Sequence, residues 1–437
     1  MNTPIEQRLV GLLGIAAMIG LGVLLSYNRR KINWRLVLTG LGLQVLFGVL
    51  VLKTPWGRDI FDAMGRAVTQ LLQFQEQGAR FVFGNLVQNT VPVGLPGAGG
   101  ALDQSAGFVA STGAYFAFNV LPTIIFFSSL MSVLYYLNVM QLVVKALAWV
   151  MQKTLGTSGA ETLSASGNIF LGQTEAPLLI KPFVRTMTHS ELVTVMVGGF
   201  ATVAGGVLAA YVGMLKGYFP NIASHLLAAS VMNAPAGLYL SKILMPETEI
   251  PVTRGKLQME VEKTDKSVIE AAASGAGQGL QLALNVAAML MAFVALVALL
   301  NAGLHWAGGF WGQDNLSLQW ILGKLLQPLA WVMGVPWQDT AYVGSMIGLK
   351  TSINEFVAYA QFASDLNAGM PLQPRSAIIL TYALLGFANF SSIAIQIGGI
   401  GGLAPERRGE IARFGLRAMI AGNLAAFVSA CLAGMLI

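Results

Sequence analysis

Charge is what this sequence lacks most. Of its 437 residues only 11% are Asp, Glu, Lys or Arg, against about 25% in an ordinary soluble domain, while 55% are hydrophobic. That balance excludes an ordinary soluble core, and several apolar runs reach the ~20 residues that cross a bilayer as a helix. Helices are the economical choice there, because hydrocarbon offers the backbone no water to bond. Cysteine is nearly absent too: the single Cys431 lies in the last apolar run, so no intrachain disulfide can form and the thiol reads as packing. The three histidines, His189, His225 and His305, are scattered and no HxxxH pattern occurs; the single DxxD string, Asp59-Ile-Phe-Asp62, falls at the start of an amphipathic stretch and not within a broken apolar segment. A membrane-embedded transferase would need an acidic pair, a His cluster or a nucleophile beside a base, so that reading is the weaker one. The net charge of +6 does not point to nucleic acid, because the cations cluster beside apolar runs and form no aromatic-interleaved patch.

What is present is a series of apolar runs. Eight read as full spans, at 8–26, 36–53, 112–137, 190–215, 222–245, 279–305, 376–397 and 412–436. The first is followed by Tyr27-Asn28 and bulky cations, with no basic leader and no small-residue cleavage site, so it reads as a retained span and not a signal peptide. Residues 159–186 and 338–365 are apolar but broken in the middle by polar residues, as re-entrant hairpins are. Broken segments of this kind, in corresponding places, point to a transport site. Amphipathic stretches at 60–88, 141–155 and 317–334 fit helices lying along the interface, and the long polar linker is 247–275. The cluster Arg29, Arg30, Lys31 and Arg35 after the first span, with Lys181, Arg185, Lys242, Arg254, Lys256, Lys263 and Lys266 further on, places both termini outside by the positive-inside rule.

Hairpin, broken helix and full helix then occur twice with opposite sense, an inverted repeat. In it Gly172-Gln-Thr-Glu-Ala-Pro177 of the first hairpin corresponds to Thr351-Ser-Ile-Asn-Glu-Phe356 of the second. Both tips present a carboxylate. Glu175 and Glu355 stand where an ionisable group costs at least ~2.5 kcal/mol unless a cavity or partner receives it. The plainer reading of Glu175 is a helix start, with Thr174 as cap and Pro177 in the first turn. Gln173, Thr174 and Glu175 suit a planar polar ligand such as a nucleobase. Asn354, Glu355, Asn389, Ser391 and Ser392 suit a polyol such as ribose, whose hydroxyls donate to a carboxylate and accept from an amide. Phe387 and Phe390 stand ready to cover a ring or simply to pack. Asn168 and Thr202 offer neutral oxygens beside Gly167, Gly172, Gly205 and Gly206, where unwound carbonyls could complete the shell of a hard cation; glycines admitting close packing, with Asn and Thr as glue between helices, explain the same residues.

Gly172-Gln-Thr-Glu-Ala-Pro-Leu-Leu-Ile-Lys-Pro-Phe183, Asn354-Glu-Phe-Val-Ala-Tyr359 and Gly386-Phe-Ala-Asn-Phe-Ser-Ser392 resemble the signature segments of the concentrative nucleoside transporters, and the resemblance extends over nearly the whole chain. It implies an all-α polytopic membrane protein of eight transmembrane helices, two opposed hairpins and three interfacial helices. It further implies a homotrimer in a bacterial inner membrane. Residues 1–157 would be mainly scaffold, 158–246 the first transport repeat, 247–335 linker with scaffold span six and an interfacial helix, and 336–437 the second repeat, the repeats moving as an elevator. By the same resemblance Gln173, Thr174, Glu175 and Val207 read the base, and Glu355, Asn389, Ser392 and Phe387 hold the ribose. Asn168, Leu171, Thr202 and Val203 bind sodium. The implied partners are a nucleoside such as uridine, a sodium ion and the lipid bilayer, with no nucleic acid polymer, no other cofactor and no enzymatic activity. Proton coupling stays open as the alternative. A carrier of carboxylates would want a cation near the midplane, and Lys350 is the hairpin cation to watch.

Overall fold

The computed structural model describes residues 5–88, 90–93, 95–96, 102–103, 108–113, 115–255, 265–310, 312–313 and 315–437. Lys256 and Lys263 of the polar linker lie outside them. The described chain is helical almost throughout. Helices α1 (Ile5–Leu24), α2 (Trp34–Lys53), α3 (Pro55–Phe83), α4 (Leu121–Tyr136) and α5 (Val139–Leu155) make up the first part. Two small antiparallel ladders, Thr90–Pro92 with Val109–Ser111 and Leu95–Pro96 with Leu102–Asp103, interrupt it.

From residue 159 the helices become short and are broken in pairs. Helix α6 (Gly159–Gly167) is followed by a 3-10 stretch, Ala176–Phe183. Helices α7 (His189–Ala201) and α8 (Gly205–Leu215) come next, then the unbroken α9 (Ile222–Leu244) and the 42-residue α10 (Val268–Gly309). After α11 (Leu318–Val332) the pattern returns as α12 (Trp337–Ser352) with α13 (Glu355–Asn367), α14 (Pro374–Leu384) with α15 (Phe390–Leu403), and the long α16 (Arg408–Leu436).

The sequence explains where these helices start. Side chains cap the amino ends: Asn33 accepts from the Leu36 N–H, Asn354 from Val357 and Asn389 from Ser392. Ser158 with Glu161 and Thr188 with Glu191 form reciprocal capping boxes at α6 and α7. Thr174 does not cap. The stretch after it is 3-10, kinked at Ile180, and its first residue follows Glu175, which makes no side-chain cap bond.

Six helical stretches among the described residues are long and apolar enough to cross a membrane: α1, α2, residues 116–136, α7 with α8, α10, and 405–436. Of the other two expected spans, α9 is long but less apolar, and the 376–397 segment is split between α14 and α15. The reason is burial within protein. Helix α9 is enclosed along most of its length and carries Ser230, Asn233, Ser241 and Lys242 inward, a composition that lipid would not tolerate but a helical neighbourhood does. Helix α10 also outruns its expected limits of 279–305 at both ends; at the amino end the reason is Ser267, which caps it well before the apolar run begins.

Burial sorts the apolar helices into two groups. The most apolar window is 89% buried in α7–α8 and 83% in α16, but 28% in α1, 33% in α2 and 11% in α10. The breaks of α7–α8 and α14–α15 therefore lie inside protein, and they meet. Gly386, at φ 116°, brings its backbone so close to Phe200 that a Cβ there would fall 2.6 Å from the Phe200 carbonyl oxygen. The next N–H, that of Phe387, donates to the Thr202 carbonyl at 3.3 Å.

Candidate functional site

Glu355 is the first helical residue of α13 and is buried. Its carboxylate accepts from the Tyr211 hydroxyl of α8 at 3.1 Å and from the Asn389 amide at 2.8 Å. Asn389 has two tasks at once: its Oδ1 caps α15 through the Ser392 N–H at 2.9 Å and accepts from the Ser391 hydroxyl, while its amide reaches Glu355. The cap fixes which end of the amide faces the carboxylate. Tyr211 stacks on Tyr359 of α13 at 4.1 Å between centroids, so the carboxylate is held between two rigid half-helices.

A second chain of amides starts from a backbone carbonyl. The Met196 carbonyl accepts from the Gln396 amide at 3.0 Å, and the same amide donates to Gln173 Oε1 at 3.1 Å. Gln173 then donates to the Ser392 hydroxyl at 3.1 Å. A carbonyl can only accept, so it orients Gln396, and Gln396 orients Gln173. All three side chains are buried. Glu175, by contrast, is exposed, and its carboxylate accepts from the N–H of Gly172 at 3.1 Å, folding the tip back on itself.

Both chains border one cavity of about 970 Å³, at the upper end of the range usual for small-molecule sites. It brings together Gln173, Thr174, Glu175, Val207, Glu355, Phe387, Asn389 and Ser392, every side chain expected to touch base or ribose. Leu171 borders it too, while Asn168, Thr202 and Val203 do not. The cavity runs on along α4 and α10, past Tyr135, Gln281 and Asn285, towards Arg185 and Asp265. Phe390 points elsewhere: it is exposed and off the cavity.

Asn168, at the end of α6, and Thr202, at the end of α7, meet at the last turn of α7. A Cβ on Gly198 would lie 3.1 Å from the Asn168 amide nitrogen, and Thr202 donates its hydroxyl hydrogen to the Gly198 carbonyl at 2.9 Å. The Asn168 amide is spent on the Ser164 carbonyl at 3.0 Å. Its Oδ1 is fully enclosed and has no hydrogen-bond partner. An orphaned neutral acceptor beside a hydroxyl oxygen and the unwound 202–204 backbone fits a hard monovalent cation. It does not fit a transition metal, and among the described residues no group of three His, Cys, Asp or Glu could hold one.

Tyr211 and Gln396 escaped the sequence reading. Gln396 had a visible signal, a lone amide in the apolar run Ile393–Leu403 four residues after Ser392; Tyr211 had none, since a tyrosine in an apolar helix is ordinary. Lys350 is in neither chain and off the cavity, fully buried.

Residues 13–86 match the family described as Na+ dependent nucleoside transporter N-terminus, residues 225–434 the corresponding C-terminus, and residues 117–218 a family described as nucleoside recognition. A protein of Haemophilus influenzae named only as a transporter is 45% identical over 98% of both chains. Mouse sodium/nucleoside cotransporter 1 is 41% identical over 98% of this chain, which spans 64% of that longer protein. Among solved structures, CNTnw in an inward-facing substrate-bound state is 44% identical over 98% of each chain, with a TM-score of 0.86. A double variant of CNTnw in an outward-facing state, 45% identical, superposes over 99% of this chain and 98% of that one, with a TM-score of 0.88.

Proposed function

The chain belongs to the Na+-dependent nucleoside transporter family, a family of multi-pass membrane carriers and not of enzymes, and on that premise we propose that it imports nucleosides by sodium symport. The observation that carries this reading is the pairing of two fixed polar groups across one cavity: the Glu355 carboxylate held by Asn389 and Tyr211, and the Gln173 amide oriented by Gln396. Vicinal ribose hydroxyls donate to the carboxylate and accept from the Asn389 side. The base lies across Gln173, Thr174 and Val207, with Phe387 over the sugar. Glu175 takes a base donor while still accepting the Gly172 N–H, since a carboxylate has lone pairs for both.

Sodium takes the Asn168 oxygen, the Thr202 hydroxyl and the Leu171 and Val203 carbonyls. Its effect on nucleoside binding runs through the tip itself: Gln173 is five residues from Asn168, and the Gly205 N–H bonds the Phe170 carbonyl at 2.8 Å, tying tip to break. Linkage then requires each ligand to tighten the other by the same factor. One sodium crossing 100 mV supplies ~2.3 kcal/mol and a tenfold gradient ~1.4 kcal/mol more, enough for accumulation of several hundredfold.

In this reading the helix pairs α6 with Ala176–Phe183 and α12 with α13 are re-entrant hairpins of an inverted repeat. They move as an elevator with α7–α9 and α14–α16. The mostly exposed α1, α2, α4 and α10 are the scaffold of a homotrimer in the bacterial inner membrane. With both termini outside, the cavity's reach to Arg185 and Asp265 makes this conformer the inward-facing one. Equilibrium binding of labelled uridine to the purified protein tests the site: affinity rises with sodium at constant ionic strength and falls at least tenfold in Glu355→Ala. Affinity unchanged by both would sink the assignment.

A further inference from the structure

The two central breaks are alike in one contact and opposite in another. At the first, Asn233 of α9 donates its amide to the Ala201 carbonyl at 2.7 Å. At the second, Asn423 of α16 donates to the Ala388 carbonyl at 2.9 Å. The helix following each break thus supplies it with one neutral amide. What the preceding helix pair supplies differs in sign. The first offers Asn168, a buried oxygen with no partner. The second offers Lys350, whose ammonium donates to the carbonyls of Ala383 at 3.0 Å and Leu385 at 3.4 Å and lies 5.8 Å from the centre of the Phe427 ring.

Those carbonyls belong to the end of α14, where backbone oxygens lack intrahelical partners and the helix dipole is negative. Unwound half-helix ends of this kind are where carriers seat a coupling cation. Lys350 is fully buried; among the described residues no carboxylate lies within ion-pair distance of it, and the carboxylate that attracts it from further off is Glu355 at the start of α13. A bare ammonium is costly there, and here carbonyl dipoles and an aromatic face offset that cost.

We propose that Lys350 is a resident cation: its ammonium fills, at the break between α14 and α15, the place that an exchangeable sodium takes between α7 and α8, and so holds the protein to one coupled cation per nucleoside. The inference rests on the sodium reading of the first break. It assigns Lys350 a coupling role, distinct from contact with substrate, since the side chain does not border the cavity.

The test is uridine uptake into proteoliposomes by the full-length protein and its Lys350→Met variant, with sodium titrated and the charge moved per uridine read from the reversal potential. The wild type should move one charge. In Lys350→Met the Hill coefficient for sodium should rise from about 1 towards about 2, with two charges moved, because the vacated carbonyls now recruit an ion. A slower variant that keeps the single-ion dependence would make Lys350 a plain helix cap and overturn the proposal, as would two charges in the wild type. Should Lys350→Met transport nothing, Lys350→Ala in methylammonium decides: restored uptake supports the resident cation, and none overturns it. Absence of sodium-dependent uptake in the wild type would instead remove the reading beneath.

Discussion

Replacing Asn168 with Ala separates sodium binding from everything that follows it. Without sodium, the enclosed Oδ1 of Asn168 costs the protein the desolvation of an unmet acceptor, about 1–3 kcal/mol, while its amide bond to the Ser164 carbonyl returns about 0.5–1.5 kcal/mol. Asn168→Ala removes both, so stability in choline buffer should lie between about 0.5 kcal/mol below and about 2.5 kcal/mol above that of the wild type. With sodium present the two proteins part. At a hundred times its dissociation constant a ligand adds about 2.7 kcal/mol to the native state, and the variant, lacking an enclosed oxygen that no protein group satisfies, should gain almost none. The assay is denaturant unfolding in detergent, sodium exchanged for choline at constant ionic strength. Sodium-specific stabilisation surviving in Asn168→Ala, or missing from the wild type, would refute the reasoning.

Glu355→Ala strands the buried Tyr211 hydroxyl and Asn389 amide and should cost about 2–6 kcal/mol in unfolding experiments, one desolvation penalty for each orphan; Glu355→Gln, which keeps an acceptor, should cost less while still weakening nucleoside binding. Gly199→Ala places a Cβ 2.7 Å from that of Gln173 and 2.9 Å from the Gln396 amide nitrogen, so uridine affinity should fall while the sodium-induced stabilisation persists, which a binding titration beside the unfolding assay reads directly. Lys242→Met breaks a buried ion pair with Glu161, 2.6 Å long with side chains 5% and 2% exposed, and should cost about 3–5 kcal/mol by stranding a charge. Adding Glu161→Gln should return most of that loss in the same unfolding measurement.

Legibility in the sequence followed how local each cause was. Apolar runs and broken segments act over a few residues, so the helices and the polar tips were readable, as was the gathering of Gln173, Glu355, Asn389 and Ser392 around one cavity. The start of α10 was not, because a Ser267 cap outweighs the hydropathy profile that suggested residue 279. Helix α9 was read as lipid-spanning from its length, yet its Ser230, Asn233 and Lys242 are matched to partners more than 30 residues away, at Ile169, Ala201 and Ser190. Thr174 illustrates the limit of motif logic: the Thr-Glu-Ala-Pro string promises a cap, but a second proline, Pro182, and the kink at Ile180 keep the stretch from settling into an α-helix. Gln396 and Tyr211 matter only through residues about 144 to 223 positions distant, a relation that no spacing within their own helices records.

The central claim is sodium-coupled uptake of nucleosides, and labelled uridine entering proteoliposomes under an inward sodium gradient, an inward proton gradient or neither tests it most directly. Accumulation with sodium alone, lost in Asn168→Ala, is the predicted result. Uptake driven by protons and indifferent to sodium, or no uptake of any nucleoside by folded protein, would contradict it.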